Sequence, residues 1–136
     1  MPVIKYMLDT NSCIAIMKRR SVAIQDRLVD LATDEVAVSS MVTAELWYGV
    51  ALSQKKKQNE AALRDFLDFV TILDWPGEAS AIYGQIRAGQ KEKGTPIGAM
   101  DLLIASHALF LDAILVTDNT RELRRVPGLK VENWLA

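Results

Sequence analysis

The sequence predicts an α/β domain with a mainly parallel central sheet. Two short apolar runs, residues 3–8 and 113–117, have the pattern of buried parallel strands that are covered on both faces. Segments with apolar residues at helical spacing alternate with further short apolar runs, which is typical of strands joined by helical crossovers. Asp9 and Asp118 directly follow the two buried runs. Both acids are therefore expected at the sheet edge where open α/β folds place ligand sites.

The size and charge of the chain limit the classes of protein to which it can belong. The 136 residues, half of them hydrophobic, predict a single domain over residues 1–136 with a core large enough to fold alone. The pI near 5.8 argues against nucleic-acid binding through a global basic field. Any such binding would be local, at the basic clusters within residues 18–20, 55–57 and 121–125.

The first residues lack a secretory pattern, and no segment approaches the roughly 18 apolar residues of a membrane helix. The single cysteine, Cys13, cannot form an internal disulfide and is expected to be a small buried hydrophobe. We therefore expect a cytoplasmic protein without membrane contact.

The first half of the chain follows the α/β pattern. Residues 12–19 predict a short helix, and Ser21 caps a second helix that extends to residue 32. A strand at 36–38 leads into a helix over 41–52 that carries Glu45 in its second turn, and a further helix over 55–69 precedes a strand at 70–73. The buried set predicted for the second helix consists of Val22, Ile24, Leu28, Val29 and Leu31.

The second half repeats this alternation. Pro76 suits the start of a helix over 77–93, and the breaker-rich residues 94–98 form a loop. The next helix, 100–111, is apolar nearly all round, so the carboxylate of Asp101 in its first turn needs a reason to be there. After the buried strand at 113–117, a short helical turn over 121–126 and an edge strand over 129–134 complete the chain.

In this interpretation, four acidic side chains lie at the same edge of the sheet. Asp9, Asp118 and Asp101 are expected at the carboxyl edge of the sheet, and Glu45 can point to the same place. Clustered carboxylates repel one another unless a cation neutralises them. Oxygen ligands suit Mg²⁺, or Mn²⁺ in its place. Such a site can activate water against a phosphodiester.

Other chemistries lose support because their motifs are missing. The sequence contains no GxxxxGK[ST], GxGxxG, CxxC or HxxxH pattern, which argues against nucleoside-triphosphate, dinucleotide and zinc sites. His107 is the only histidine, and its apolar neighbours favour a structural residue with satisfied hydrogen bonds over a general base.

Four motifs follow one another along the chain: YMLDTN with Asp9, SSMVTAELWYG with Glu45, GTPIGAMDLLIASHAL with Asp101, and ILVTDNTREL followed by VPGLKVENW. In order and spacing they resemble the PIN-domain ribonucleases, and most closely the VapC toxins of bacterial toxin–antitoxin pairs. The resemblance covers nearly the whole chain.

The resemblance implies that Asp9 and Asp101 ligate Mg²⁺ and that Glu45 completes the site, directly or through water. The family's fourth position lies two residues after the threonine of the late strand, where this chain has Asn119. Side-chain alternation along a strand favours Asn119 by position, Asp118 is second by charge, and Glu122 stays open. Further polar positions that match the family's pocket are Thr10, Asn11, Ser40 and Thr117.

The resemblance also implies a three-layer α/β/α sandwich, a homodimer and metal-dependent endonucleolytic cleavage of structured RNA such as transfer RNA. A VapB-like antitoxin would wrap the toxin and block the acidic pocket. Some aromatic residues of the central helices could line its groove, although Phe66 and Phe69 are expected in the core.

Two alternatives compete with this hypothesis. Haloacid-dehalogenase-type phosphohydrolases also begin with a strand ending in Asp, but they carry a second Asp two residues later, where this chain has Asn11. The other alternative is a catalytically silent PIN-fold module that only binds RNA or protein. The intact acidic set disfavours it, because unused carboxylates at one edge cost stability.

Overall fold

The computed structural model describes residues 3–135, and its strands form one wholly parallel sheet. The order across the sheet is β3-β2-β1-β4-β5. The strands are β1 (Tyr6–Leu8), β2 (Val36–Ser39), β3 (Thr71–Leu73), β4 (Ile114–Val116) and β5 (Lys130–Glu132). The predicted parallel sheet is confirmed, and β5 lies at an edge as expected.

Helices connect successive strands and cover both faces of the sheet. Because parallel crossovers are right-handed and the strand order reverses after β3, the first four helices lie on one face and the last three on the other. The three-layer α/β/α sandwich is therefore the architecture of the described chain. The helices are α1 (Thr10–Met17), α2 (Val22–Val29), α3 (Ser40–Leu52), α4 (Lys56–Leu67), α5 (Ser80–Glu92), α6 (Ala99–Leu111) and α7 (Thr120–Leu123).

The core lies between the central strands and the helices that pack on them. Most apolar side chains of β1, β2 and β4 are buried, with Tyr6 and Ile114 half-buried. α6 is buried on most of its circumference, as its composition predicts. Burial of this apolar surface is the main stabilising term for the domain. The central residues of this core are Met7, Leu8, Val38, Leu102, Ala105, Leu115 and Val116.

The carboxyl ends of β1 and β4 lie side by side at the point where the strand order reverses. Leu8 is paired with Val116 in the sheet, and the Asp9 amide donates to the Val116 carbonyl at 3.0 Å. In open α/β sheets a crevice forms at such a switch point, because the flanking crossovers leave on opposite faces. The fold therefore brings the residues that follow β1 and β4 to one crevice.

The predictions need correction at β1, at the start of α5 and in the burial of α2. β1 begins only at Tyr6, and a 3₁₀ turn at Gly77–Ala79 precedes α5. Of the buried set predicted for α2, Ile24 is confirmed and Leu28 and Leu31 are half-buried against the core. Val22 and Val29 are wrong, since they are 76% and 79% exposed. Residues seven apart share one face of a helix, so these two valines form a separate stripe, and this stripe faces away from the core.

In the part of the chain between residues 3 and 135, no helix has the length and apolar character needed to cross a membrane.

Candidate active site

Asp9 lies immediately after β1, where it caps the N-terminus of α1. Its backbone is extended, and its Oδ1 accepts a hydrogen bond from the Ser12 amide at 2.8 Å. A capping carboxylate satisfies an amide that the helix leaves unpaired and benefits from the positive end of the helix dipole. The capping role and the predicted ligand role are compatible, because the hydrogen bond uses only one of the two carboxylate oxygens.

Ser12 fixes the first turn of α1 against the neighbouring strand. Its buried hydroxyl donates to the Val116 carbonyl at the end of β4 at 3.1 Å. This hydrogen bond connects α1, the helix that Asp9 caps, to the end of β4. Nothing in the sequence singled out Ser12 for this contact, because its partner lies 104 residues away.

The carboxylate of Asp9 is largely buried, and its environment disfavours the charged form. Burial raises the pKa of Asp9 above its usual value, and the negative charge of Asp118 acts in the same direction. Hydrogen bonding by Thr117 and Ser12 lowers the pKa and partly offsets the burial. Asp9 is therefore a desolvated carboxylate held by neutral donors, with no basic side chain among the groups that shift it.

Glu45 reaches the same crevice from α3. This helix follows β2 directly and is capped by Ser39, whose Oγ accepts from the Met41 amide at 3.2 Å. In the second turn, Glu45 Oε1 accepts a hydrogen bond from the hydroxyl of Thr10, the first residue of α1. Because Thr10 is adjacent to Asp9, this contact holds the Glu45 carboxylate beside the end of β1.

Asp101 approaches from the first turn of α6 on the opposite side of the sheet. Burial raises its pKa, and four negative charges raise it further, in decreasing order those of Asp9, Glu45, Glu122 and Asp118. The structure therefore brings together the acidic residues that the sequence predicts to cluster, and Glu122, which the sequence left open for the fourth position, is among them. The negative charges of the crevice therefore act together on Asp101.

The turn after β4 contains the three candidates for the fourth position of the site, Asp118, Asn119 and Glu122. Asn119 is half-buried and donates from Nδ2 to Glu122 Oε2 at 2.7 Å, while its amide donates to Thr117 Oγ1 at 3.0 Å. Asp118 is exposed. The expected preference for Asn119 by position agrees with this burial, but the only charge that Asn119 contacts by hydrogen bond belongs to Glu122.

His107 and Cys13 lie outside this chemistry. His107 is almost completely buried, and its imidazole is not among the groups that shift Asp9 or Asp101. The expectation that the hydrogen bonds of His107 are satisfied is wrong for Nδ1, which has no partner among residues 3–135. Burial lowers the pKa of His107. Burial and the charge of Asp9 raise the pKa of the Cys13 thiol, which keeps it protonated and unreactive.

The donor chemistry of the crevice fits a hard divalent cation. Within residues 3–135, no group of three or more His, Cys, Asp or Glu side chains has the spacing needed to hold a metal ion together. Mg²⁺, however, is usually held by one or two carboxylates, with water and substrate phosphate in its remaining positions. Asp9 and Asp101 match that requirement: burial raises the pKa of both carboxylates, and the charge of Asp9 also raises the pKa of Asp101.

Comparisons with known proteins agree with the fold. The PIN domain family model matches residues 6–129. Ribonuclease VapC2 of Rickettsia felis is 44% identical over 130 residues, which cover 95% of this chain and 97% of that protein. The tRNA(fMet)-specific endonuclease VapC of Salmonella typhimurium is 39% identical over 132 residues, which cover 97% and 99% of the two chains.

A solved structure supports the same relationship. The crystal structure of VapBC2 from Rickettsia felis, bound to a DNA fragment from its promoter, matches with a TM-score of 0.91 and 42% identity. The match covers 96% of this chain and 99% of the other. With its carboxylates gathered where the strand order reverses, the chain therefore belongs to the PIN-domain family and, within it, to the VapC ribonucleases.

Proposed function

We propose that the protein is a Mg²⁺-dependent endoribonuclease and the toxin of a toxin–antitoxin pair. One observation carries the proposal: Asp9, Glu45 and Asp101 come from three different elements and converge where the strand order reverses, close enough to raise the pKa of Asp101. Such repulsion weakens the fold unless a cation offsets it. A silent binding module would have no reason to keep the cluster.

Asp9 and Asp101 would hold the cation, and Glu45 would complete the site directly or through a water molecule. A bound Mg²⁺ would lower the pKa of a water and neutralise charge on the phosphodiester under attack. The chain itself supplies rigidity: the Ser12 amide fixes Asp9 Oδ1 at 2.8 Å, and the Thr10 hydroxyl fixes Glu45 Oε1. Preorganised carboxylates need little rearrangement when substrate binds.

The proposed substrate is structured RNA, including transfer RNA. The Salmonella relative is named as an endonuclease specific for tRNA(fMet). Two of the basic clusters suit phosphate contacts near the crevice, since α1 leads from Asp9 to residues 18–20, and α7 carries Arg121 beside Glu122. A chain with pI near 5.8 needs such local charge to attract RNA to an acidic site.

The proposed protein partner is a VapB-like antitoxin, since the matching Rickettsia structure is a VapBC complex. An apolar cleft of about 560 Å³ lies between α1, α2 and α4. Phe66 is buried, as expected, whereas Phe69 is 66% exposed, so its predicted place in the core is wrong. Phe69 follows the end of α4, where the chain leaves the core, and it lines the cleft. Exposed apolar surface of this kind marks protein interfaces.

Self-association and location belong to the same proposal. Tyr48 and Leu52 are exposed on α3, and burying them against a second copy would remove apolar surface from water. We propose a homodimer that acts in the cytoplasm, where its RNA substrate is found. Light scattering of the purified protein tests whether it is a dimer, and fractionation of cells that express it tests whether it is cytoplasmic.

The deciding experiment is incubation of purified protein with bacterial RNA, with Mg²⁺ and then with an excess of chelator. We expect endonucleolytic cleavage that stops on chelation and is lost in Asp101→Asn. Calorimetric titration of Mg²⁺ into both proteins adds a measurement that does not depend on activity. RNA binding without cleavage by the wild-type protein would favour the silent module, and trapping of a phosphorylated Asp9 would favour the phosphohydrolase alternative.

A further inference from the structure

A second cavity adjoins the acidic crevice on the side of α3 and α4. It has a volume of about 350 Å³, near the lower end of the roughly 300–1,000 Å³ typical of small-molecule sites. Its walls are half-buried or buried apolar side chains of α1, α3 and α4, among them Ile14, Leu46 and Val50. A cavity of this size and character suits one planar ring system better than an extended chain.

Glu45 forms part of both sites. It lines the cavity, it accepts the Thr10 hydrogen bond beside Asp9, and its charge raises the pKa of Asp101. A group bound in the cavity would therefore lie next to the carboxylates. On an RNA chain, the group next to a scissile phosphate is a nucleotide, whose base can turn away from the backbone.

Gly49 keeps the cavity open. It lies inside α3, one turn after Glu45, and a Cβ built on it would meet no atom within 4 Å. Glycine inside a helix is less stable than alanine, and no close packing against a neighbour explains its presence here. Its consequence is space: Gly49 lines the cavity, and a larger side chain at this position would occupy room that glycine leaves empty.

Polar groups at the rim match the chemistry of a nucleotide. Gln58 and Asn59 of α4 line the cavity with exposed amides. The Asn59 Nδ2 donates to Ser53 Oγ, so Asn59 offers its oxygen as an acceptor, whereas the Gln58 amide presents a donor and an acceptor side by side, as a base edge requires. Lys18 lines the opposite side. The basic clusters at 18–20 and 55–57 flank these rim residues, so positive charge lies where the phosphates on either side of a bound base would run.

We propose that this cavity binds one unpaired base of the RNA substrate, next to the phosphate that is cut, and thereby sets the sequence preference of cleavage. The proposal rests on the proposed ribonuclease activity. Apolar walls hold the faces of the base, the amides of Gln58 and Asn59 read its edge, and Gly49 leaves room for it. A peptide segment of a partner is the competing occupant, and the flanking positive charge favours RNA over a basic peptide.

The test uses RNA hairpins with fully randomised loops, cleaved by the purified protein with Mg²⁺, followed by sequencing of the new ends. For the wild type we expect one position beside the cut at which the best and worst bases differ by about tenfold or more, the usual effect of a good edge contact. Gly49→Leu should fill the cavity and reduce this ratio to about twofold or less, which is the loss of that contact. Gly84→Leu is the matched control, because Gly84 is an equally open glycine inside α5 that does not line the cavity.

Gln58→Ala provides a second variant that cannot fail through overfilling. Gln58 is exposed, so folding should be unchanged, and the identity of the preferred base should change. The proposal is overturned if Gly49→Leu, with a thermal transition like that of Gly84→Leu, keeps the wild-type preference, or if the wild type cuts without any preference.

Loss of antitoxin binding by Gly49→Leu with an unchanged base preference would assign the cavity to the protein partner and also overturn the proposal. Failure of the wild type to cleave any RNA would instead contradict the proposed function itself, so the two failures are distinguishable.

Discussion

Replacing Asp101 by asparagine should abolish cleavage without weakening the fold. Asparagine has nearly the same shape as aspartate but lacks the charge that would bind a cation. In the metal-free protein, the ionised Asp101 faces burial and the charges of Asp9, Glu45, Glu122 and Asp118, all of which raise its pKa. Removing its charge therefore relieves repulsion, and we expect Asp101→Asn to be as stable as the wild type or more stable.

The size of this effect follows from the link between pKa and stability. Each unit by which folding raises a pKa corresponds to about 1.4 kcal/mol. Asp101 is only half-buried, so solvent screening reduces the effect, and we expect a gain of zero to about 1 kcal/mol at neutral pH, or up to a few degrees in Tm.

The pH dependence has a definite sign. A pKa raised by folding means that the folded state binds the proton more tightly than the unfolded state. The stability that comes from the protonated acid is complete below the unfolded value of 3.8 and is lost as the pH rises through the raised value. The advantage of Asp101→Asn should therefore disappear on acidification through that window.

The assay is thermal unfolding followed by circular dichroism, over a pH series and with and without Mg²⁺. At a Mg²⁺ concentration of about 100 times its dissociation constant, the wild type should gain about 2.7 kcal/mol, and Asp101→Asn should lose most of this gain. Asp112→Asn is the matched control, since this exposed residue ends the same helix and forms only a surface ion pair with Lys130. An Asp101→Asn variant that is destabilised by 1 kcal/mol or more, the usual size of a lost cap, or that still cleaves RNA, would refute the reasoning.

Three further predictions follow from the site. Asp9→Asn and Asp9→Ala should both lose cleavage, but only the asparagine can still accept from the Ser12 amide, so the alanine variant should unfold about 1 kcal/mol more easily in denaturant; equal stabilities would contradict the cap. Glu122→Gln and Asn119→Ala should each raise the Mg²⁺ concentration needed for cleavage by about tenfold, and Asp118→Asn should not; three variants equal to wild type would mean that the other carboxylates suffice. Expression of the protein alone should arrest growth, and co-expression with a VapB-like antitoxin should yield a complex; unaffected growth despite active protein would contradict the toxin role.

The sequence predicts most of the fold because its central strands are short, apolar and sharply ended. The residues after β1 and β4 could be placed at one edge for the same reason, since parallel strands end together. The burial of α2 could not be predicted, because Val22 and Val29 have the same helical spacing as a buried stripe. The hydrogen bonds that position the acidic side chains could not be predicted either. Thr10 contacts a residue 35 positions away, and such pairings depend on the assembled sheet.

At the fourth position of the site, the alternation of side chains along a strand does not apply, because the backbone there forms a turn. Alternation along β4 favours Asn119, but β4 ends at Val116, and the backbone of Asn119 has φ −89° and ψ 50°, which is not extended. α7 begins at the next residue and brings Glu122 back over Asn119, so that the amide holds Glu122 Oε2 at 2.7 Å. Glu122 also raises the pKa of Asp101 more than Asp118 does. The amide at position 119 therefore holds a carboxylate three residues later, and the first turn of α7 adds the charge of Glu122 to that of Asp118.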